Sequence, residues 1–114
     1  MTATSREKHP GDDTITVHVE LISWVNQFVG GPGTGATEFH ERVPPGETVR
    51  AVLNRVSDRF PRLKAALWDE NDRSRIGSHI EIIVNDAILG VAHDLDSPLQ
   101  QNDRIILAGQ YIGG

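Results

Sequence analysis

Gly113 and Gly114, the last two residues, are the part of the sequence that could take part in chemistry most directly. They combine a free carboxylate with an absence of side chains, so they form a thin probe that can enter an active site where any Cβ would clash. A carboxylate is a poor acyl donor until it is activated. Its attack on the α-phosphate of ATP, in the Mg²⁺-dependent site of a partner enzyme, would give an acyl-adenylate with a good leaving group. We therefore interpret Gly114 as the reactive residue of a chain that binds no cofactor itself.

The glycine-rich segment 30–35 (GGPGTG) is a second place where chemistry could occur. Its spacing matches the glycines of a phosphate-binding P-loop, but Ala36 stands where the lysine that neutralises the terminal phosphates is required. A strand is predicted to follow it, so no helix N-terminus is available to hold an anion. We interpret this segment as a flexible hairpin loop.

Histidines and acidic residues give no strong metal-site or catalytic pattern. No two histidines have helical pairing, and two at most could meet across adjacent strands, so we predict no metal site. His93, Asp94 and Ser97 have the residue types of a catalytic triad, but proximity in sequence does not supply its geometry. The acidic segment 69–72 lacks the glycine and the final glutamate of a calcium loop, which favours a solvated loop. The five histidines are His9, His18, His40, His79 and His93.

Composition narrows the class of protein further. The 114 residues suit one domain, and 11 Lys+Arg against 16 Asp+Glu give a net charge of −5. This acidic balance argues against binding to nucleic acid, which needs clustered cations. The chain has 0 Cys, and it shows neither a membrane-spanning run nor a signal peptide. We expect a cytoplasmic protein with no membrane attachment.

Hydrophobic periodicity predicts the elements that would position the C-terminus. Residues 1–13 are polar and are expected to form a disordered tail, ahead of a domain spanning residues 14–114. Alternation predicts a strand over 15–21 and a second strand over 38–43 that forms a hairpin with the first. Between them, residues 24–28 depart from the alternation, which predicts a short helical turn.

The second half of the domain contains the main helix and the remaining strands. Apolar residues from Val49 to Leu63 recur every three or four positions, which predicts a helix with Thr48 as its N-cap and Pro61 bending or ending it. Strands are predicted over 79–84, over a short segment 88–91 and over 103–108. This order is typical of an α+β fold with a mixed sheet of four or five strands and one main helix on one face.

The sequence resembles the ubiquitin-like β-grasp superfamily, and within it the MoaD/ThiS-type sulfur carriers, including the small subunit of molybdopterin synthase. The resemblance covers residues 14–114 and rests on four segments. These are 24–30 (WVNQFVG), 47–49 (ETV), 83–86 (IVND), and the run from 97–107 (SPLQQNDRIIL) to the terminal Gly-Gly.

The resemblance implies that this chain is a carrier rather than an enzyme. A ubiquitin-activating-type enzyme would use ATP and Mg²⁺ to adenylate Gly114, which would become a thiocarboxylate and donate sulfur to molybdopterin, thiamine or related biosynthesis. The implied partners are that enzyme, a persulfide-bearing sulfur donor and the large subunit of a synthase. Gln110, Tyr111 and Ile112 occupy the family's partner-threading segment. Arg104 and Ile106 are candidates for partner contact on the exposed sheet face, where we expect a mostly apolar patch with a polar rim.

Two other functions are compatible with the same residues. A ubiquitin-like protein modifier would pass the activated Gly114 to a lysine amine of a target protein. A plain interaction module would keep its function after removal of Gly113 and Gly114.

Overall fold

The computed structural model describes residues 13–110, which form a five-stranded mixed sheet with helices. The strand order is β2-β1-β5-β3-β4. β1 pairs with β2 antiparallel and with β5 parallel, while β3 pairs antiparallel with both β5 and β4. The predicted α+β class is thus confirmed. In chain order the elements are β1 (Ile15–Ile22), a 3₁₀ helix (Ser23–Val29), β2 (Ala36–Val43), α1 (Val49–Ser57), α2 (Pro61–Leu67), β3 (Ile80–Val84), β4 (Ala87–Ile88) and β5 (Arg104–Gly109).

The core lies between one face of the sheet and the helices. Along β1 the odd-numbered residues Val17, Val19 and Leu21 are fully buried, whereas the even-numbered ones are half-buried on the other face. β5 contributes Ile105 and Leu107 to the same core. Successive side chains of a strand point to opposite faces, so the period-two pattern assigned the faces of β1 correctly.

The single helix predicted from Val49 to Leu63 is two helices in the structure. α1 begins at its predicted cap, where the Ala51 N–H donates to Thr48 Oγ1 over 3.1 Å. It ends at Ser57, and α2 starts at Pro61. Proline has no N–H and fits the first turn of a helix, so Pro61 begins a new helix instead of bending the first.

The predicted fourth strand is shorter and begins earlier than expected. Asn85 and Asp86 have positive φ angles of 50° and 73°, the geometry of a tight two-residue hairpin turn, so pairing with β3 resumes at once. Strand β4 ends at Ile88, because the chain turns again at Gly90, whose φ is +102°. Val91 therefore lies 78% exposed outside the sheet.

The glycine-rich segment between β1 and β2 is held by a buried asparagine. Asn26 Nδ2 donates to the Thr34 carbonyl over 2.7 Å, and the Gly33 N–H donates to Asn26 Oδ1 over 2.6 Å. The segment is a hairpin connection, as predicted, and these bonds give it a defined path. Within residues 13–110, no helix has the length and apolar character needed to span a bilayer.

Candidate functional site

The strand that leads to the C-terminus, β5, occupies the centre of the sheet. It is paired along its length with β1 on one side and with β3 on the other. The pairing continues one residue past the strand, because the Gln110 N–H donates to the His79 carbonyl over 2.8 Å. Gln110 itself is exposed. The body of the protein therefore holds the chain firmly up to a solvent-facing residue, four positions before its end.

Gly109, the last residue of β5, lies directly against the Trp24 ring of the 3₁₀ helix. A Cβ at this position would lie 2.2 Å from Trp24 Cε2, a separation that carbon atoms cannot adopt. Trp24 in turn makes an edge-to-face contact with Phe28. The 3₁₀ helix thereby covers the end of β5, and a residue without a side chain is needed there.

A surface groove of about 490 Å³ adjoins this end of the sheet. Trp24, Phe28 and Trp68 contribute aromatic surface to it, and Asp69 and His79 contribute polar groups. Since His79 also accepts the Gln110 hydrogen bond, the groove lies beside the point where the described chain ends. Its lining is about equally polar and apolar, so it presents a mixed surface beside the end of β5.

The sheet face opposite the helices has two different parts. Ile106 is half-buried between Glu20 of β1 and Ile83 of β3, its partners in register, which gives a small apolar area. Arg104 is exposed, and its Nη1 lies 3.2 Å from Glu20 Oε1 and 3.2 Å from Glu38 Oε2. Ion-paired side chains cover the sheet at the β2 side, so the apolar area on this face is confined to the surroundings of Ile106.

The predicted site residues fall into described and undescribed groups. Three of them are described and have even numbers, so they follow the same alternation along the chain: Arg104, Ile106 and Gln110. Arg104 and Gln110 lie about 20 Å apart along an extended chain, so one small contact cannot include both. Tyr111, Ile112, Gly113 and Gly114 lie outside the described residues, as does the predicted N-terminal tail apart from Asp13. Their roles stay predictions.

Sequence reasoning missed one cluster on this sheet face. His18 of β1 and His40 of β2 are direct partners in the antiparallel register, and Glu38 lies beside both. The two imidazole rings meet edge to face with centroids 4.8 Å apart. The sequence did contain an indication of this cluster. All three residues have even numbers in two strands that were predicted to form one hairpin, and residues of the same alternation lie on the same face of the sheet.

Comparison with known proteins identifies the fold but no close relative. Neither a protein-family model nor a curated protein matches the sequence. Solved structures do match. Small archaeal modifier protein 1 of Methanosarcina acetivorans has a TM-score of 0.69 at 23% identity, covering 89% of this chain and 98% of that one.

Two further solved structures show the same architecture. A chain of the BexX/CysO complex of Amycolatopsis orientalis matches with a TM-score of 0.61 at 22% identity, over 86% of this chain and 99% of that one. The putative molybdopterin converting factor subunit 1 of Pyrococcus furiosus matches with a TM-score of 0.58 at 20% identity, over 85% and 99%. With its central β5 between β1 and β3 and its helices on one face, the chain has the ubiquitin-like β-grasp fold that the sequence predicted.

Proposed function

We propose that this chain is a ubiquitin-like sulfur carrier whose Gly114 carboxylate is activated by a separate adenylating enzyme. The observation that carries the proposal is the combination of a β-grasp body with a central strand that leads, through exposed Gln110, to a sequence ending in Gly-Gly. The similarity to a molybdopterin converting factor subunit and to a chain of the BexX/CysO complex supports it. Fold likeness alone does not define chemistry, so the terminal residues carry the functional part of the proposal.

In the proposed reaction this chain is the substrate of other proteins and supplies no catalytic residue. The Gly114 carboxylate attacks the α-phosphate of ATP in a Mg²⁺-dependent enzyme, and pyrophosphate leaves. A persulfide sulfur of a donor protein then attacks the acyl carbon, and AMP leaves. A thiol then attacks the donor-protein sulfur of the resulting acyl disulfide, so a new disulfide forms on the donor and the thiocarboxylate is released. The two terminal glycines suit this sequence of partners because they present no Cβ to any of the active sites.

Intact-mass spectrometry tests the proposal directly. After incubation with an adenylating enzyme of this class, ATP, Mg²⁺ and a persulfide donor, we expect a mass increase equal to the exchange of one oxygen for one sulfur. A variant that lacks Gly113 and Gly114 should stay unmodified, whereas one that lacks residues 1–12 should be converted like the full chain. A folded full-length chain that no such enzyme converts would contradict the carrier function.

The similarity to small archaeal modifier protein 1 supports a second function, protein modification. In this case a lysine amine of a target protein attacks the activated acyl carbon and forms an isopeptide bond. Covalent adducts that disappear when Gly114 is deleted would favour this function. A thiocarboxylate without adducts would favour sulfur transfer to a small molecule.

A further inference from the structure

We propose that His18, Glu38 and His40 form a binding site for a divalent metal ion of the zinc class. The three side chains lie on the sheet face that the helices leave uncovered, across the β1–β2 pair. Their potential ligand atoms all lie within 4.8 Å of one another. Two imidazoles and a carboxylate are a ligand set that Zn²⁺ accepts, and three protein ligands leave its fourth coordination position open.

The distances between the ligand atoms are close to those that a metal ion requires. His18 Nδ1 lies 3.6 Å from Glu38 Oε2, and His40 Nε2 lies 3.7 Å from the same oxygen. Tetrahedral bonds of about 2.1 Å place neighbouring ligand atoms about 3.4 Å apart. These two separations therefore need to shrink by about 0.2 Å and about 0.3 Å. The third, between the two ring nitrogens, can close by rotation of the His40 side chain, which is 61% exposed.

Asn102 sets the ring nitrogen that His18 offers. His18 Nε2 lies 3.3 Å from Asn102 Oδ1, an oxygen that can only accept a hydrogen bond. A proton on Nε2 makes this bond and leaves the Nδ1 lone pair for coordination. Nδ1 is buried and has no hydrogen-bond partner within the described part of the chain. Metal-binding histidines in proteins typically donate their second ring N–H to an oxygen in this way.

The charges around the cluster favour a cation. Within this ion-paired group, Glu20 and Glu38 face the single guanidinium of Arg104, so the two carboxylates outnumber the cation by 2 − 1 = 1. Arg42, another cation on the same face of β2, donates to Thr14 Oγ1. Arg104 contacts Oε2 of Glu38, and it keeps Glu20 as an ion-pair partner when Glu38 turns toward a metal ion. Binding therefore leaves no charge of this group unpaired.

Zinc titration of the metal-free full chain tests the site, with calorimetry as the measurement. A His9→Gln background removes the histidine that lies outside the described residues. We expect one ion to bind per chain, with the affinity reduced at least tenfold by His40→Gln, His18→Gln or Glu38→Gln. Asn102→Gly, which suits the φ of +68° at that position, should reduce it about tenfold through the lost hydrogen bond to His18. His79→Gln, an exposed histidine elsewhere, is the matched control and should leave the affinity unchanged.

Nuclear magnetic resonance of the imidazole nitrogens gives an independent measurement. Zinc should shift His18 Nδ1 and His40 Nε2, the nitrogens nearest Glu38, and leave the His79 ring unchanged. Circular dichroism without metal checks that each variant is folded. The His40 variant is the most informative, because His40 is exposed and its replacement disturbs the fold least. The absence of saturable binding, or binding that survives His40→Gln and His18→Gln unchanged, would overturn the proposal.

Discussion

Among the described glycines, Gly109 has the least space for a side chain. It is the last residue of the strand that leads to the C-terminus, and the Trp24 ring occupies the space of a side chain there. Its backbone pairs with Ile80 of β3, so it cannot move away from the ring without loss of sheet pairing. The end of β5 therefore packs directly against the Trp24 ring.

Gly109→Ala tests this contact. The added methyl group would overlap the Trp24 ring, so we expect the free energy of unfolding to fall by about 1 to 3 kcal/mol. Chemical denaturation measures the change. In a Trp24→Leu background the same substitution should cost less, because the smaller side chain frees the space, and a double-mutant cycle isolates the difference. An equal cost in both backgrounds would show that Trp24 is not the cause.

Among the elements, the helical layer is organised by residues that start and stop helices. Thr48 satisfies the Ala51 N–H at the first turn of α1, and Pro61 occupies the first turn of α2. The segment between the two helices contains Arg59 and Phe60, which return toward the sheet and pack on Phe39. The break between the helices therefore brings side chains to the sheet that one continuous helix would have directed elsewhere.

Thr48→Ala tests the contribution of the cap. Loss of the hydroxyl leaves the Ala51 N–H without its acceptor, so we expect the free energy of unfolding to fall by about 1 kcal/mol. Thr48→Ser keeps the oxygen and is the matched control, with a much smaller expected change. Thermal unfolding followed by circular dichroism at the helix signal measures both. Equal losses in the two variants would assign the effect to the missing methyl group instead.

In the whole molecule, the sheet and the helical layer are joined by an ion pair between Glu41 and Arg59. Arg59 Nη2 lies 2.6 Å and Nη1 3.1 Å from the two carboxylate oxygens of Glu41, a bidentate pair. The Glu41 side chain is 8% exposed, so its charge is compensated mainly within the protein. The hydrogen bond to Glu41 raises the pKa of Arg59, with desolvation opposing the rise.

Arg59→Ala should destabilise the protein through the buried carboxylate that it leaves without a partner. We expect a loss of about 2 kcal/mol in the free energy of unfolding, the usual size for hydrogen bonds to a charged group. Because folding raises the pKa of Arg59, its charged form stabilises the folded state fully at any pH below the pKa that Arg59 has in the unfolded chain. This stabilisation is lost only when the pH rises through the higher pKa that Arg59 has in the folded protein. The difference from wild type should therefore hold from about pH 6 to about pH 9.

Lys64→Ala provides the control for this prediction. Lys64 and Asp58 form a similar ion pair, but both side chains are more than half exposed, so the loss should be below about 1 kcal/mol. Denaturant unfolding of both variants at about pH 6 and about pH 9 gives the two losses in the free energy of unfolding to be compared. An equal small loss in the two variants would mean that Glu41 recovers its hydrogen bonds from water.

Much of the fold was predictable because it depends on short-range patterns. Alternation in β1 assigned its buried face, and Thr48 marked the start of α1, since each signal lies within a few residues of the element it defines. The residues of β5 are apolar on both sides, so periodicity did not assign its buried face. The exact extent of β4 was not predictable, because it depends on the turn at Asn85 and Asp86 and on the exit at Gly90. Likewise, Pro61 predicted an interruption of the helix that begins at Val49, but it did not show that a second helix begins at Pro61.

The sequence alone supplied the Gly-Gly end, the acidic net charge and the β-grasp resemblance, all of which are written in the order of residues along the chain. Only the folded chain showed that Arg104 pairs with Glu20, that Trp24 covers Gly109, and that His18, Glu38 and His40 meet. Those contacts join segments far apart in sequence. They follow from strand order and register, which are set by packing of the whole sheet rather than by any local pattern.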